Sequence, residues 1–399
     1  MKIIIISRQY YPYGMASVNR LHCYTQGYVE LGFETRVIIP EATIPYSERK
    51  NTKNKKAEGY YKGTYFKYMS GTPIRNKIKW KRPFLDIISR LKTILYTIKE
   101  CNQETVLYIW GGGIIWCPIM QICGHLKGSK VYIELNELPY GTGLENWKTR
   151  LFRYFMLNNI FPYFDGFITI SESLKQLVEQ HNHKYNCTLK VPILVNTDTT
   201  SNNAKNINID TPFIFHSGSL YEQKDGIVKM LTAFAIAKQE IRNLKFYLTG
   251  KLEQTRDEKK IKATISQYNI EKDVVFLGYL DNDTLHSYQK SCTLMIIYKY
   301  DTLQNKYCFS TKLGEYLTFA KPIILTNIGE ATYYMKDREN AFIIDWEDTK
   351  KIADCIIEII NNPQLATKIG IAGRETCRKE FNYLIHAKKM IEFYKQKMN

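Results

Sequence analysis

The sequence contains no apolar run approaching the ~18 residues of a membrane-spanning helix, so it offers no segment that reads as a span. It has no CxxC pair and no Cys/His cluster, and its seven histidines show no HExxH spacing, which argues against a structural zinc site or a zincin-type centre. Nine cysteines are scattered singly, a pattern suited to structural thiols in a reducing cytoplasm rather than to a disulfide framework. The apolar stretch in MKIIIIS is too short for the core of a signal peptide and reads as a first buried strand. No helix-turn-helix, RNA-binding aromatic motif or zinc finger accompanies the basic residues, so nucleic acid is not an expected partner. Acidic residues are also scarce: 39 Asp and Glu face 56 Lys and Arg, a formal charge of +17. That excess suits anionic lipid or phosphorylated small molecules, or else an ordinary lysine-rich surface.

The stretch from Phe309 to Glu330 is the most informative part of what is there. FSTKLGEYLTFAKPIILTNIGE reads as loop, helix, strand and loop. Ser310 and Thr311 are N-cap candidates, and Leu313, Tyr316, Leu317 and Ala320 give an apolar face at helical spacing. Pro322 stops the helix and Ile323 to Thr326 form a short strand. A helix N-terminus seats phosphate, and Glu315, one turn further in and off the apolar stripe, can accept hydrogen bonds from a ribose. The local chemistry suggests a nucleoside diphosphate site.

At 399 residues two domains are expected, each alternating strand and helix around a mostly parallel sheet. The first half opens with the strand KIIIIS, the turn QYYPYGMAS, a helix from about Val18 to Leu31 and the strand TRVIIP. Further strands are expected at Thr105–Ile109, Lys130–Leu135 and Gly166–Ile170. The polar stretch NTDTTSNNAKNINIDT is the best linker, and PFIFHSGS restarts the pattern. The expected division is residues 1–197, a linker over 198–211, a second domain over 212–380 and a final helix over 381–399. Two doubly wound domains place ligands at the carboxyl ends of their strands, in the cleft between them.

The segment KIKWKRPFLDIISRLKTILYTIK, Lys77 to Lys99, is basic and amphipathic, with Ile87, Ile88, Leu91, Ile94, Leu95 and Ile98 at helical spacing. It reads first as a helix whose apolar face covers the sheet, and the alternative is a helix on an anionic membrane surface, with Trp80–Arg82 at the contact. In the second half, His216-Ser-Gly-Ser-Leu-Tyr-Glu-Gln-Lys-Asp-Gly226 is a strand running into a loop: Gly218 allows close approach of a ligand, and Lys224 can offer a point charge to a pyrophosphate. Asp281-Asn-Asp283 matches the short metal-binding DxD pattern, but it starts a helix and reads as a cap.

Together these motifs resemble glycosyltransferase family 4, of the GT-B type, over nearly the whole chain. PYGMAS resembles the glycine-containing first loop, ELNELPYG the loop after the fourth strand, and TISESLKQLV the helix that follows the family's "is S" phrase. PILVNTD resembles the segment before the linker, SGSLYEQKDG the phosphate-lysine loop and VVFLGYL the base-binding turn. FSTKLGEYLTFAKPII resembles the signature helix and IGEATYYMKDRENAFIID its continuation.

The resemblance implies two Rossmann-like domains with a C-terminal helix crossing back to the first. It also implies retaining transfer of a sugar from a UDP- or GDP-linked donor to an acceptor hydroxyl, with no metal or other cofactor. The acceptor expected is a lipid-linked or cell-surface glycan precursor at the inner membrane face. On this chain, Lys224 with amides near Phe309, Ser310 and Thr311 would stabilise the departing phosphate. Glu315 would hold the ribose, and Gly278, Tyr279 and Leu280 would flank the base. Gly14, Met15 and Ala16 would let the acceptor approach, or form a plain turn. Arg20 would meet an acceptor phosphate or lie on the surface, and Glu137, next to Asn136, would contact the donor sugar or cap a loop.

Three positions depart from the family. Tyr307 replaces a second glutamate, Ser219 an arginine ahead of the loop lysine, and the loop Glu134-Leu-Asn136-Glu137 lacks the histidine. Lys312 is a candidate to supply the missing arginine's charge. An epimerase or phosphorylase of the same architecture and a catalytically silent nucleotide binder are the competing readings.

Overall fold

The computed structural model describes residues 1–111, 113–140, 145–181, 187–197, 204–218 and 220–398. They form two compact units. Unit 1 comprises Met1–Leu194 with Tyr383–Asn399, and unit 2 comprises Val195–Asn382.

Unit 1 is built on strands β1 (Lys2–Ser7), β2 (Glu34–Ile39), β3 (Glu58–Tyr61), β4 (Thr64–Tyr68), β5 (Thr105–Trp110), β6 (Lys130–Leu135), β7 (Gly166–Thr169) and β8 (Thr188–Lys190). Their order in the sheet is β3-β4-β2-β1-β5-β6-β7-β8, and only the β3–β4 pair is antiparallel. The inner strands are continuous apolar runs because both sheet faces are covered, as in Ile3–Ile6 and Val106–Ile109, all 2% exposed or less. The helices are α1 (Ala16–Glu30), α2 (Arg82–Glu100), α3 (Trp116–His125), α4 (Trp147–Phe155) and α5 (Glu172–His181). α1 leads leftward from β1 to β2, whereas α2 to α5 all lead rightward along the sheet. With right-handed crossovers the two sets fall on opposite faces.

Unit 2 holds β9 (Phe213–His216), β10 (Lys245–Leu248), β11 (Val274–Phe276), β12 (Leu294–Ile297), β13 (Ile323–Thr326) and β14 (Phe342–Ile344). The order is β11-β10-β9-β12-β13-β14, all parallel. The connections are α6 (Glu222–Asp225), α7 (Ile227–Glu240), α8 (Glu258–Gln267), α9 (Asn282–Ser291), α10 (Leu303–Tyr307) and α11 (Thr311–Leu317). After β14 come α12 (Thr349–Asn361), α13 (Pro363–Glu380) and α14 (Tyr383–Met398). β9 is flanked by β10 on one side and β12 on the other, so the winding reverses between β9 and β12. This switch point is where doubly wound sheets hold ligands.

The expected α/β architecture is present, and so is the crossing helix. α14 belongs to unit 1, where Tyr394 meets Tyr28 hydroxyl to hydroxyl at 3.0 Å and Ala387 packs on Gly27 of α1. A side chain at Gly27 would overlap Ala387, so that glycine sets how closely the two helices approach.

One expectation is corrected. The apolar stripe of the 77–99 segment does not cover the sheet. Phe84, Ile87, Leu91, Leu95 and Ile98 are exposed, and the buried residues of α2 are Ser89, Thr93 and Thr97. Those three hydroxyls donate to the carbonyls of Leu85, Ser89 and Thr93, one turn back, at 2.7, 2.9 and 2.9 Å. The small, self-satisfied face is the one that meets the protein.

Candidate functional site

The carboxyl ends of β9 and β12 carry charge that the buried strands cannot. β12 is followed by Lys299, and β9 runs through His216 and Ser217 into Gly218. From Leu220 the chain is pinned into α6: Thr255 Oγ1 donates to the Leu220 carbonyl (2.7 Å), and the Glu222 amide donates to Asp257 (2.9 Å). Glu222 in turn accepts from the Val228 amide (2.6 Å) and from the Tyr300 hydroxyl. This anchoring presents Lys224 on the surface and turns Asp225 inward, where it is buried.

Asp225 is the hub. Lys312 Nζ lies 2.8 Å from Asp225 Oδ1, and Lys299 Nζ lies 3.0 Å from the same oxygen. Lys299 also donates to the Lys224 carbonyl at 2.7 Å. Burial pushes the Asp225 carboxyl up, but Lys312 and Lys299 more than offset it, so it is held well below the usual carboxylate range. Burial pushes Lys312 down, against the pull of Asp225, to about 8. Beyond the Asp225 pair, Lys312 Nζ has no aligned hydrogen-bond acceptor among the described residues. His216 is buried beneath the cluster; its Nδ1 meets the Ile296 carbonyl at 3.0 Å, and burial with Lys312 nearby lowers it to about 3.

Gly218 belongs to this geometry. Any side chain there would overlap the Lys312 ammonium. Its amide donates to Thr249 Oγ1 (3.1 Å), and the preceding Ser217 amide donates to the Tyr316 hydroxyl of α11 (2.7 Å), which locks strand end and helix together. Ser219 lies outside the described residues. Glu315, one turn into α11, is half-buried.

The sequence-derived residues of unit 2 therefore converge in part. Gly218, the Lys224 segment, Lys312 and the α11 helix of Ser310, Thr311 and Glu315 meet at the switch point. Ser310 is at the N-cap position of α11, without a side-chain capping bond. The Phe309 side chain is buried, stacked on Tyr334 at 5.5 Å and edge-on to Phe381, so only its backbone can serve a ligand. Gly278, at φ +68°, turns the chain after β11 and accepts from the Gly250 amide at 2.7 Å. Tyr279 beside it is exposed, its hydroxyl donating to Gln254 at 3.0 Å, and Leu280 is half-buried. Tyr307 ends α10 and is half-buried. Asp281 caps α9 by accepting from the Thr284 amide at 3.0 Å, as a capping residue should.

In unit 1 the candidates lie at the carboxyl edge of the sheet. Gly14, Met15 and Ala16 are exposed at the start of α1, Met15 at 79%. Glu137 is exposed after β6, and Asn136 is half-buried, its Oδ1 without a hydrogen-bond partner among the described residues.

Arg20 requires correction: it is neither on the surface nor able to meet a ligand. It is 3% exposed, and its Nε donates to Glu134 Oε1 at 2.9 Å. Its two terminal nitrogens donate to the carbonyls of Val191 and Pro192. Tyr24 and Tyr108 also donate to Glu134, so every polar group of this core ion pair is engaged.

Sequence reasoning gave Asp225 and Lys299 no role, and it put Glu134 in a loop, whereas Glu134 lies in β6 and is buried. The available signal was a charged residue inside or just past an apolar strand, as in VYIEL and LMIIYK, which needs a partner or a ligand.

Residues 198–376 match the family model described as "Glycosyl transferases group 1". No curated protein matches the chain. Solved structures match over almost the full length. HepE from Anabaena, in complex with UDP and glucose, is similar with a TM-score of 0.70, 13% identity and coverage of 98% of each chain. Sucrose-phosphate synthase from Thermosynechococcus elongatus is similar with a TM-score of 0.72 and 15% identity, covering 99% of this chain and 98% of that one. A glycosyltransferase from Rickettsia africae gives 0.72 and 16% identity, covering 100% and 98%. At these identities the likeness establishes the fold: two Rossmann-like domains of the GT-B type.

Proposed function

We propose that this chain, whose second unit matches the glycosyl transferases group 1 model, is a retaining glycosyltransferase. It moves a sugar from a UDP- or GDP-linked donor to a hydroxyl of a lipid-linked or cell-surface glycan precursor, at the cytoplasmic face of a membrane. The observation that carries this reading is the Lys312–Asp225–Lys299 cluster beneath Gly218, in which two cations share one carboxylate, so that the cluster itself holds one positive charge in excess. A diphosphate is the natural occupant of such a site.

In this reading the bond from the anomeric carbon to the diphosphate oxygen breaks, and a bond to the acceptor oxygen forms on the same face of the sugar. The acceptor proton passes to a phosphate oxygen of the leaving group. Lys224 and Lys312 stabilise the charge that develops on the diphosphate, which is electrostatic catalysis by groups already in place. That charge is supplied by protein cations, so the reading needs no metal and no further cofactor. Glu315 accepts from the ribose hydroxyls, Gly278 to Leu280 flank the base, and Tyr307 lies where the donor sugar is held. In unit 1, Asn136 and Glu137 serve the sugar, and the Gly14–Ala16 loop serves the acceptor. HepE, which shares the fold, holds UDP-glucose, in keeping with a nucleotide-sugar donor.

A silent nucleotide binder is the competing reading, favoured by Tyr307 where the family resemblance implies a glutamate. The two are separated by incubating the protein with radiolabelled UDP- and GDP-sugars and a bacterial lipid extract. Label in the lipid fraction, lost in Lys312→Met, supports transfer. Nucleotide binding without any label transfer supports the silent binder.

A further inference from the structure

The exposed stripe of α2 has a chemistry of its own. At about 100° per residue, Phe84, Ile87, Leu91, Leu95 and Ile98 fall on one side of the helix, opposite Ser89, Thr93 and Thr97. The same projection places Lys81, Lys92 and Lys99 along one border of the stripe. Phe84 is 66% exposed and Leu95 67%, values foreign to a helix that covers a sheet. From Phe84 to Ile98 the stripe runs roughly 20 Å. Trp80, just before the helix, is 77% exposed with Lys81 Nζ 5.4 Å from its ring. Neighbouring α3 adds exposed Ile122, and Leu126 just past its end is exposed as well. α4, on the same sheet face, opens with exposed Trp147, over whose ring Lys148 Nζ lies at 5.6 Å.

We propose that this face of unit 1 docks on an anionic lipid bilayer. α2 lies flat, with Phe84, Ile87, Leu91, Leu95 and Ile98 among the acyl chains, Trp80 at the headgroup level, and Lys81, Lys92 and Lys99 on lipid phosphates. A lysine border beside an apolar stripe complements an anionic bilayer. Between two copies of this chain it would set like charges against each other. Among the described residues no helix is long and apolar enough to cross a membrane, so the contact is interfacial.

The placement also fits the acceptor. The segment leading into α2 is tied to the carboxyl edge of the sheet, where the Thr43 and Ile44 amides donate to the Pro73 carbonyl at 3.0 and 2.9 Å. The Gly14–Ala16 loop leaves β1 at that same edge. A lipid-borne acceptor would therefore meet unit 1 where the proposed acceptor loop lies. The inference names the partner that delivers the acceptor and rests on the proposed function for that step alone.

The test is flotation of the full chain with vesicles of equal parts phosphatidylglycerol and phosphatidylcholine, and with phosphatidylcholine alone. The wild type should float with the anionic vesicles, with a blue shift of tryptophan emission that Trp80→Phe diminishes. Leu91→Glu with Leu95→Glu should lower the partition coefficient at least about tenfold, and Lys92→Glu with Lys99→Glu should do the same through charge. Binding of UDP or GDP, whichever the wild type takes, and the circular dichroism spectrum should stay unchanged in both, which separates this inference from the donor site. Wild type left behind with anionic vesicles overturns the proposal, as does equal flotation of the Leu91/Leu95 variant. A wild-type dimer that the Leu91/Leu95 variant dissociates also overturns it, because a second copy then covers the face.

Discussion

Lys312 Nζ and Asp225 Oδ1 stand 2.8 Å apart beneath Gly218, and Lys299 shares the same carboxylate at 3.0 Å. One buried carboxylate thus positions two cations from different elements, the lysine after β12 and the second residue of α11. The protein's own ion pairs hold both cations in place, which is what electrostatic stabilisation without reorganisation requires.

The lowered Lys312 pKa, about 8, gives the first prediction. The ammonium is the form that stabilises a diphosphate. kcat/KM for the donor should therefore fall as pH rises through about 8, because that parameter reports the free enzyme. Lys312→Arg should remove this basic limb, since a guanidinium stays charged throughout. A profile flat to pH 9 in the wild type would exclude a role for the Lys312 charge.

Replacing Asp225 with Asn removes the carboxylate and leaves two partly buried cations without compensation. Loss of one partner of a buried pair typically costs about 3–5 kcal/mol. The urea midpoint should drop accordingly. The basic limb of kcat/KM should also move to lower pH, because the group that raises the Lys312 pKa is gone. Lost stability with an unmoved limb would make Asp225 a structural residue only.

Much of this fold is legible in the sequence. Lys130–Leu135 and Ile323–Thr326 match the expected strands residue for residue, because buried parallel strands are continuous apolar runs with sharp ends. The β3–β4 hairpin was not anticipated. Its Tyr-Lys-Gly-Thr turn has Lys62 and Gly63 at φ +47° and +79°, a hairpin turn whose first residue is not the usual Asn, Asp or Gly. The direction in which α2 faces was not legible either. Periodicity defines a stripe but not which side meets the sheet, and only packing shows that Ser89, Thr93 and Thr97 do. The residues expected to hold the donor lie in short sequence motifs and could be named from them, whereas the pairing of Asp225 with Lys299, across 74 residues, needed the fold.

His216 and His22 give a prediction about stability. Burial chiefly lowers both, to about 3 and about 4, so the folded chain keeps them neutral where the unfolded chain protonates. Between about pH 4 and 6.5 the unfolded state binds more protons, and stability should rise with pH by up to ~1.4 kcal/mol per unit for each histidine. Urea titrations across this range should show the slope, and His22→Gln should reduce it. An unchanged slope in that variant would assign it to other groups.

Arg20→Ala should act on folding rather than on acceptor binding. It strands Glu134 in the core, at a cost of about 3–5 kcal/mol. At temperatures where the variant remains folded, acceptor KM should equal that of the wild type. A selective rise in acceptor KM would return Arg20 to the binding surface.

A nucleoside diphosphate is proposed to bind in unit 2 where Gly218, Lys312 and the α11 helix that carries Glu315 meet. Calorimetric titration of the full chain with UDP and with GDP, without metal, tests it most directly. Saturable binding of one of them is expected, weakened at least about tenfold by Lys312→Met, which removes a charge-assisted contact of ~1.5–3 kcal/mol. Glu315→Ala should weaken it comparably through the ribose, with the fold intact. Binding of neither nucleotide, or equal binding by both variants and the wild type, would contradict it.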